Sequence, residues 1–530
     1  MIEEIRLNAI TGVALFTLAA ALSVPVQVRA QAVELSPGTM PSVGTVSDRY
    51  QSYNIEMVEV TGGRFWAPYK VRADAPPDTE QATPGGMPAS LYRYMPPINL
   101  SNPRLRKLAA ALGPAYVRVS GTWANSTYFQ DSDAPAPATP PEGFNSVLTR
   151  KEWKGVIDFA HAVDAQLVTS FAVSQGTRNA EGVWTPDQAE KLLSYTKSIG
   201  GNIAAAEFFN EPTFATMGGA PKGYGAADYG RDFDVFHAFV KKADPSMMIL
   251  GPGSVGEVGN LAGAPNMHIL RSEDMLKDEG PDMLDGFSYH FYGSVSKRCA
   301  TMMHGLGTTP EAALTDAWLS LTNRDEKFYA GLRDRFAPGK PLWLTETAET
   351  ACGGDPWAAD FIDSFRYLNQ LGTLARQGVQ VVMHNTLSAS DYAYINGDTL
   401  TPRPNYWSAV LWRRLMGTTV LDAKSAATPG LYVYAQCLRG KPGGVAVLAI
   451  NASRTDAREL LLPVKSSRYT LSSGDLLSAT VMLNGKELKL TDSGDLPALK
   501  GRAQKSGTVS LSPETITFFA VPGAHNQACR

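Results

Sequence analysis

The 530-residue chain has little cysteine, four residues in all, and no excess of either charge: 48 Lys and Arg stand against 51 Asp and Glu, a net −3. Such a balance implies no nucleic-acid partner and no anionic membrane surface. No CxxC or HxxxH spacing accompanies the cysteines, so no metal site is expected. The chain lacks a P-loop and lacks a GxGxxG after a strand, and neither a nucleotide nor any other cofactor is expected. Internal repeats, a collagen period and a charged low-complexity tail are also missing, which excludes fibrous and solenoid architectures. What is present is globular: 44% hydrophobic and 19% charged residues, with 48 Gly and 35 Pro spread along the chain as turn punctuation.

Only one long apolar stretch occurs. After MIEEIR come NAITGVALFTLAAALSVPV and the small-residue pattern VRA-QA, so residues 1–30 read as a signal peptide cleaved near Ala30. Glu3 and Glu4 stand where positive charge is usual, and only Arg6 supplies it. The alternative is a membrane anchor, since the stretch nearly reaches the roughly 18 residues a span needs. The expected location is secreted or periplasmic, with no membrane association after cleavage.

From about 50 to 420, short β-type runs alternate with helical patterns. The runs are YNIEMVEV (53–60), AYVRVSG (115–121), AQLVTSFAV (165–173), NIAAAEFFN (202–210), MMILGPGS (247–254), LDGFSYHFYG (284–293), PLWLTETA (341–348) and VQVVMHN (379–385). Between them, Thr185-Pro186-Asp187-Gln188 reads as a cap, an N1 proline and a capping-box Gln, and Gly200-Gly201 closes that helix. Leu192, Tyr195 and Ile199 mark its buried stripe, as Phe361, Phe365, Leu368 and Leu371 do for the helix after the seventh run. Eight strands alternating with helices predict a (β/α)8 barrel over 51–417. Beyond it, LYVYAQC, GVAVLAIN, ELLLPV, RYTLSS, TVMLNGKELKL and TITFFAVPG alternate without helical period, with a hairpin turn at Asn484-Gly485. A β-sandwich over 418–530 is expected, with residues 31–50 adding to it. QDSDAPAPATPPEG (130–143) is a Pro-rich surface loop.

Export makes disulfides plausible, and four cysteines allow three pairings. Cys437 and Cys529 share the strand-rich region, and Cys299 and Cys352 each follow a predicted barrel strand. That placement favours 437–529 and 299–352.

Barrel chemistry belongs at the C-terminal ends of strands. Glu211 stands there in FFNEPTF, where Pro212 breaks the fourth strand, and Glu346 stands there in LWLTETA on the seventh. Two carboxylates facing across a barrel mouth are the minimum equipment for glycoside hydrolysis: a protonated acid and an ionised nucleophile, about 5–5.5 Å apart in retaining enzymes. An isolated glutamate is ordinarily a surface or salt-bridge residue; Asn-Glu-Pro on strand four together with Glu on strand seven is not ordinary. Asn210 beside the acid can hydrogen-bond a sugar 2-hydroxyl. Glu349 is the nearest rival nucleophile, disfavoured by strand alternation and its loop position.

These segments resemble the heparanase and β-glucuronidase family of retaining glycoside hydrolases (family 79, clan A). The likeness runs through LGPAYVRVSGT, FFNEPTF, YHFYG, LWLTETAETACGG and PRPNYWSAVLWRRLMGTTVL, over most of the chain beyond the leader. It implies a barrel joined to a sandwich that contains a disulfide, which Cys437 and Cys529 fit. It implies Glu211 as acid/base and Glu346 as nucleophile, with Asn210 on the 2-hydroxyl, Tyr292 hydrogen-bonded to the nucleophile and His290 beside the same subsite. A uronic-acid carboxylate would meet the backbone N–H groups of Gly353 and Gly354 and a tyrosine, Tyr392, with Tyr394 a register shift away. Glu56, Thr122 and Asn385 would contact ring hydroxyls or line the subsite. On their own, a His and a Tyr on an aromatic strand are more often packing residues, so the roles of His290 and Tyr292 rest on the resemblance; an ordinary turn is the lesser alternative for Gly353-Gly354.

The sequence departs from the family at Cys352, where glycine or tyrosine is more usual. The long excised segment of mammalian heparanases has no counterpart beyond 130–143, so an active single chain, a monomer, is expected. The resemblance implies an exported retaining β-glucuronidase acting on a glucuronic-acid-containing carbohydrate. An endo-acting enzyme on heparan-sulfate-like chains is the first alternative, but Arg150, Lys151, Lys154, Arg178, Lys297 and Arg298 are scattered rather than clustered. A non-catalytic carbohydrate-binding protein, or a different clan A sugar specificity, are the others.

Overall fold

Eight parallel strands close into a barrel: β1 (Gln51–Glu56), β2 (Ala115–Ser120), β3 (Ala165–Ser170), β4 (Ile203–Glu207), β5 (Met248–Ser254), β6 (Gly286–Phe291), β7 (Leu342–Thr347) and β8 (Val381–His384). Each pairs with its successor, and β8 returns to β1 through Val382 opposite Gln51. This computed structural model describes residues 32–69, 87–259, 269–300, 306–424 and 428–530. The signal peptide expected over 1–30 lies outside them. Among the described residues no helix is long and apolar enough to cross a membrane.

Around the barrel run α1 (Pro103–Ala110), α2 (Arg150–Ala162), α3 (Asp187–Ser198), α4 (Ala226–Ala243), α5 (Leu321–Phe336), α6 (Asp363–Arg376) and α7 (Pro404–Leu415). Their starts are local chemistry: Asn102 Oδ1 accepts from the N–H groups of Arg104 and Leu105, and Thr149 and Glu152 cap each other reciprocally. The barrel interior is filled by Val168, Ala205, Leu250, Trp343, Val381 and Met383, leaving the strand ends free for polar work.

Three local expectations are corrected. The first strand stops at Glu56 rather than Val60, because Glu59 reaches back to the N–H of Glu56 (2.8 Å) and turns Met57–Thr61 into a short helix. Here a carboxylate cap outweighs the β-propensity of Val58 and Val60. The fourth strand ends at Glu207 rather than Asn210, since Phe208 and Phe209 turn into an aromatic cluster with Trp184, Tyr229 and Phe236. The capping box expected for α3 does not form. Thr185 Oγ1 donates to the Thr177 carbonyl, and Gln188 Oε1 accepts from Phe129 N–H at 2.8 Å, so both side chains tie α3 to its neighbours. Gly200, at φ +75°, does end that helix, its N–H meeting the Lys197 carbonyl.

The C-terminal part is a β-sandwich. β9 (Met416–Leu421), β10 (Leu431–Leu438), β11 (Val445–Asn451), β13 (Ser466–Ser472) and β15 (Thr515–Val521) form an antiparallel sheet, with Ser42–Thr45 paired outside β9. β12 (Arg458–Leu462) and β14 (Gly507–Leu511) form the second sheet, with Val33–Glu34 beside β12. Asn484 and Gly485, at φ +52° and +81°, make the two-residue hairpin between Met482–Leu483 and Lys486–Glu487.

Every residue of β11 is buried, because the sheet has two cores. Val445, Val447 and Ala449 face Leu460, Val509 and Leu511, while Ala446, Leu448 and Ile450 join the core that α6 shares. At that contact Gly372 lies under the Tyr434 ring, where an added Cβ would come within 2.4 Å. Cys437 is bonded to Cys529 within the sandwich, and Cys299 to Cys352 at the barrel mouth, the pairings favoured from the sequence.

Candidate active site

At the C-terminal end of the barrel, Arg118 of β2 organises the floor. It is 1% exposed, and three of its nitrogens meet three different residues: Glu207 Oε2 (2.9 Å), Glu346 Oε2 (2.9 Å) and Asn210 Oδ1 (2.7 Å). Guanidinium can only donate, so Asn210 presents its oxygen to Arg118 and leaves its NH2 for the cavity side. Glu207 is fully buried; burial raises its carboxyl, but the charge of Arg118 outweighs this and holds it below the usual range. Arg118 and Glu207 escape a motif search. The signal that could have found them is a charge placed inside an otherwise apolar strand, AYVRVS and IAAAE.

Glu346 faces the same floor because β7 bulges. Trp343 points inward, and Thr345 also points inward, its hydroxyl on Glu207 Oε1 at 2.7 Å. Strict alternation would turn Glu346 outward. The register against β6 runs Leu344 opposite Tyr289, then Glu346 opposite His290, so one extra residue rotates Glu346 inward. Its other oxygen accepts from Tyr292 Oη at 2.7 Å.

Glu211 heads the 3-10 turn Pro212–Phe214 in a left-handed conformation, φ +50°. Asn125 holds the preceding residue, pairing its side-chain amide with the backbone N–H and carbonyl of Asn210, both at 2.9 Å. Burial pushes the Glu211 carboxyl up to about 7, against the opposing pull of Arg118. His290 Nδ1 lies 3.0 Å from Glu211 Oε1, and its Nε2 lies 3.3 Å from an Arg118 nitrogen. As Arg118 must be the donor, Nε2 accepts and Nδ1–H points at Glu211. Burial drives His290 down to about 4, so the ring is neutral at pH 7. One oxygen of Glu211, one of Glu346 and a nitrogen of His290 all lie within 4.8 Å of one another, a spacing that could hold a cation. Arg118 already brings a positive charge to Glu346 there.

Above this floor opens a cavity of about 300 Å³. Of the residues singled out from the sequence, Glu56, Thr122, Asn210, Glu211, Tyr292, Glu346, Asn385 and Tyr392 line it; His290 reaches it through Glu211. Burial, then the Glu346 charge, raises the Glu56 carboxyl well above the usual range. Gly121, at φ +90°, lets it in: an added Cβ would lie 1.6 Å from Glu56 Oε2. Asn385 Nδ2 donates to both Tyr292 and Tyr392 at 3.2 Å. Tyr394 instead stacks on His384 in the core. Glu349 is also buried elsewhere, accepting from Thr350 and from Asp355 N–H. The remaining wall is largely apolar, with Phe65, Trp66, Trp123 and Phe214 among its members, and the Cys299–Cys352 disulfide.

Gly353 and Gly354 are not among the residues that line the cavity, although Ala351 and Cys352, directly before them in the chain, are. Cys352, Gly353 and Gly354 have φ of +62°, +84° and +84° in succession. Gly354 N–H closes the turn over residues 352 and 353, and among the described residues no acceptor meets the N–H groups of Cys352 and Gly353. Consecutive unpartnered amides of this kind make an anion-binding concavity.

None of the known protein-family models matches the chain. It is 26% identical over 489 residues to heparanase-like protein 1 of Arabidopsis thaliana, covering 82% of this chain and 86% of that protein. It is 27% identical over 488 residues to hyaluronoglucuronidase of Hirudo nipponia, covering 84% and 93%. In fold it matches a 4-O-α-L-rhamnosyl-β-D-glucuronidase from Fusarium oxysporum with a TM-score of 0.60, at 14% identity, over 92% of this chain and all of that one. Over more than four fifths of its length, the chain is a relative of the heparanase-like proteins and hyaluronoglucuronidase.

Proposed function

We propose that the chain is an exported retaining glycoside hydrolase that releases β-linked glucuronic acid through a covalent glycosyl-enzyme intermediate. The observation that carries this reading is the meeting of Glu211 and Glu346 in one cavity, oxygens within 4.8 Å, in unequal surroundings. Burial keeps a proton on Glu211 near neutral pH, whereas Arg118 and Tyr292 donate to the two oxygens of Glu346. That asymmetry separates an acid from a nucleophile. Glu346 attacks the anomeric carbon as its bond to the leaving oxygen breaks, and Glu211 gives its proton to that oxygen. Water then attacks the same carbon, Glu211 takes the water proton, and Glu346 leaves as carboxylate. The Asn210 amide is the donor for the 2-hydroxyl.

Two features support an acidic sugar: the unpartnered amides of Cys352 and Gly353, and Tyr392, whose hydroxyl accepts from Asn385 and retains its own hydrogen for a ligand. A small aglycone fits better than a sulfated polymer. Arg178 is bound to Asp232 at 2.6 Å, Arg298 to Asp391 at 3.1 Å and Arg150 to Asp131 at 2.8 Å, so these cations are already neutralised.

Paired rates on 4-nitrophenyl β-D-glucuronide and β-D-glucoside test the reading, with NMR of the first-formed sugar anomer. A preference for the glucuronide with the β-anomer first is expected. An α-anomer would remove the covalent step, comparable glucoside rates would replace the acid sugar with a neutral one, and binding without turnover would leave a carbohydrate-binding protein.

A further inference from the structure

The wall of the cavity contains a covalent link that the chemistry above does not use. Cys299, on the loop after β6, is bonded to Cys352, on the loop after β7, and both line the cavity. Around that bond the two loops are sewn together. Val295 and Ala351 form a parallel bridge, Ser296 N–H donates to the Ala351 carbonyl (3.0 Å), Ser296 Oγ donates to the Gly354 carbonyl (2.7 Å), and Lys297 N–H donates to Asp355 (2.7 Å).

These contacts fix which way the first free amide points. In a trans peptide the N–H lies opposite the preceding carbonyl. The Ala351 carbonyl is turned to Ser296, so the Cys352 N–H is directed away from the β6 loop. The Gly353 carbonyl is turned to Asp391 N–H and Ser390 Oγ, which ties the same turn to the β8 loop. Glycine is required behind: a Cβ on Gly353 would lie 2.4 Å from Trp66 Cβ, and one on Gly354 2.8 Å from Ala358 Cβ. The first of the three residues, however, is a cysteine at φ +62°, a conformation that costs a side chain dearly and relaxes unless something holds it.

We propose that the Cys299–Cys352 disulfide is a positioning brace for sugar selectivity: it holds the Cys352 backbone left-handed and so presents the Cys352 and Gly353 amides as the receptor for the acid group of the substrate. The inference rests on the acidic-sugar reading above and deepens it, assigning selectivity between acidic and neutral sugars to a pair of residues that touch neither reacting atom. Opening the bond releases Cys352 and scatters the amides, while Glu211, Glu346 and the Arg118 floor stay on their strands.

The experiment compares wild type, Cys299→Ala and Cys352→Gly on the glucuronide and glucoside pair, with folding checked by thermal melting and thiols counted by mass. Cys352→Gly also lacks the bond but takes the left-handed backbone unaided, so it should keep the wild-type ratio and separates the backbone conformation from the bond itself. Expected for Cys299→Ala is a fall of about tenfold or more in the glucuronide-to-glucoside ratio of kcat/KM, carried by KM for the glucuronide, the scale of one lost charge-assisted hydrogen bond. Treating Cys437→Ala/Cys529→Ala, which keeps only the Cys299–Cys352 bond, with dithiothreitol should reproduce that fall. An unchanged ratio in folded Cys299→Ala or in the reduced enzyme overturns the brace, as does an equal loss on both substrates, or a Cys352→Gly variant that loses as much selectivity as Cys299→Ala. If wild type shows no preference for the glucuronide, the acidic-sugar reading fails first and takes the brace with it; a preference that survives opening the bond with Cys352 in place sinks the brace alone.

Discussion

Tyr292 gives its phenolic hydrogen to Glu346 at 2.7 Å, from the residue that directly follows β6, the strand next to the one that carries the carboxylate. Burial, then the Glu346 charge, raises the Tyr292 hydroxyl well above its usual range, so it remains a donor at any working pH. Tyr292→Phe should lower kcat by about 10- to 100-fold, the worth of one hydrogen bond to a charged group, with little change in melting temperature. An unaltered kcat would mean that the bond plays no part in the reaction.

Removing either acid should be far more costly. Glu346→Gln and Glu211→Ala are each expected to lose on the order of 10²–10⁴ in kcat. Azide, which needs no general base, should restore Glu211→Ala and give the β-azide, and should do little for Glu346→Gln. Rescue of the opposite variant would exchange the two roles.

The pH profile should fall on its basic side near 7. Glu211 acts first as an acid, burial raises its carboxyl to about 7, and so kcat/KM declines as pH rises through that value. His290, held down at about 4, stays neutral across this range and contributes no limb of its own. Its Nδ1–H stabilises the ionised form of Glu211. His290→Phe removes that donor, so the basic limb should move to higher pH. A limb that stays in place would separate His290 from the acid.

Arg118 and Glu207 form a buried ion pair at 2.8 Å, 1% and 0% exposed at their side chains. Breaking it from one side leaves a buried carboxylate without its cation, with the Thr345 hydroxyl still on it. Arg118→Met should therefore cost about 3–5 kcal/mol of stability, read by denaturant unfolding. Arg118→Met with Glu207→Leu should recover part of that stability and none of the activity, because Glu346 and Asn210 have still lost their donor. A double variant no more stable than the single would show the pair to be neutral.

Far from the cavity, Gly372→Ala forces a methyl into the Tyr434 ring at the junction of α6 and the sandwich. A loss of about 1–3 kcal/mol is expected from such overpacking, with kcat retained. A melting temperature equal to wild type would mean that the two parts give way freely at this contact.

The eight strands, the helices between them and the change to sandwich patterning were legible because each is a local period, two or 3.6 residues, written in neighbouring side chains. The two glutamates were legible for a related reason: a strand end followed by a breaker marks where a barrel presents its chemistry. Thr185 and Gln188 misled because a side-chain oxygen cannot tell, from its own sequence neighbours, whether its donor will be its own helix or Phe129, 59 residues away.

The sequence by itself determined the barrel, the sandwich and which residues stand at the mouth, since burial of periodic apolar faces leaves few other arrangements. Only the tertiary structure decided that Glu346 turns inward, through one extra residue in β7 against β6. It alone decided that Arg118 and Glu207, from strands far apart in the chain, share the charge beneath Glu346, and that Cys352 takes a conformation no cysteine adopts readily. Such features depend on what lies across space, at 2.7–2.9 Å around Arg118, and interactions so short-ranged leave no period along the chain.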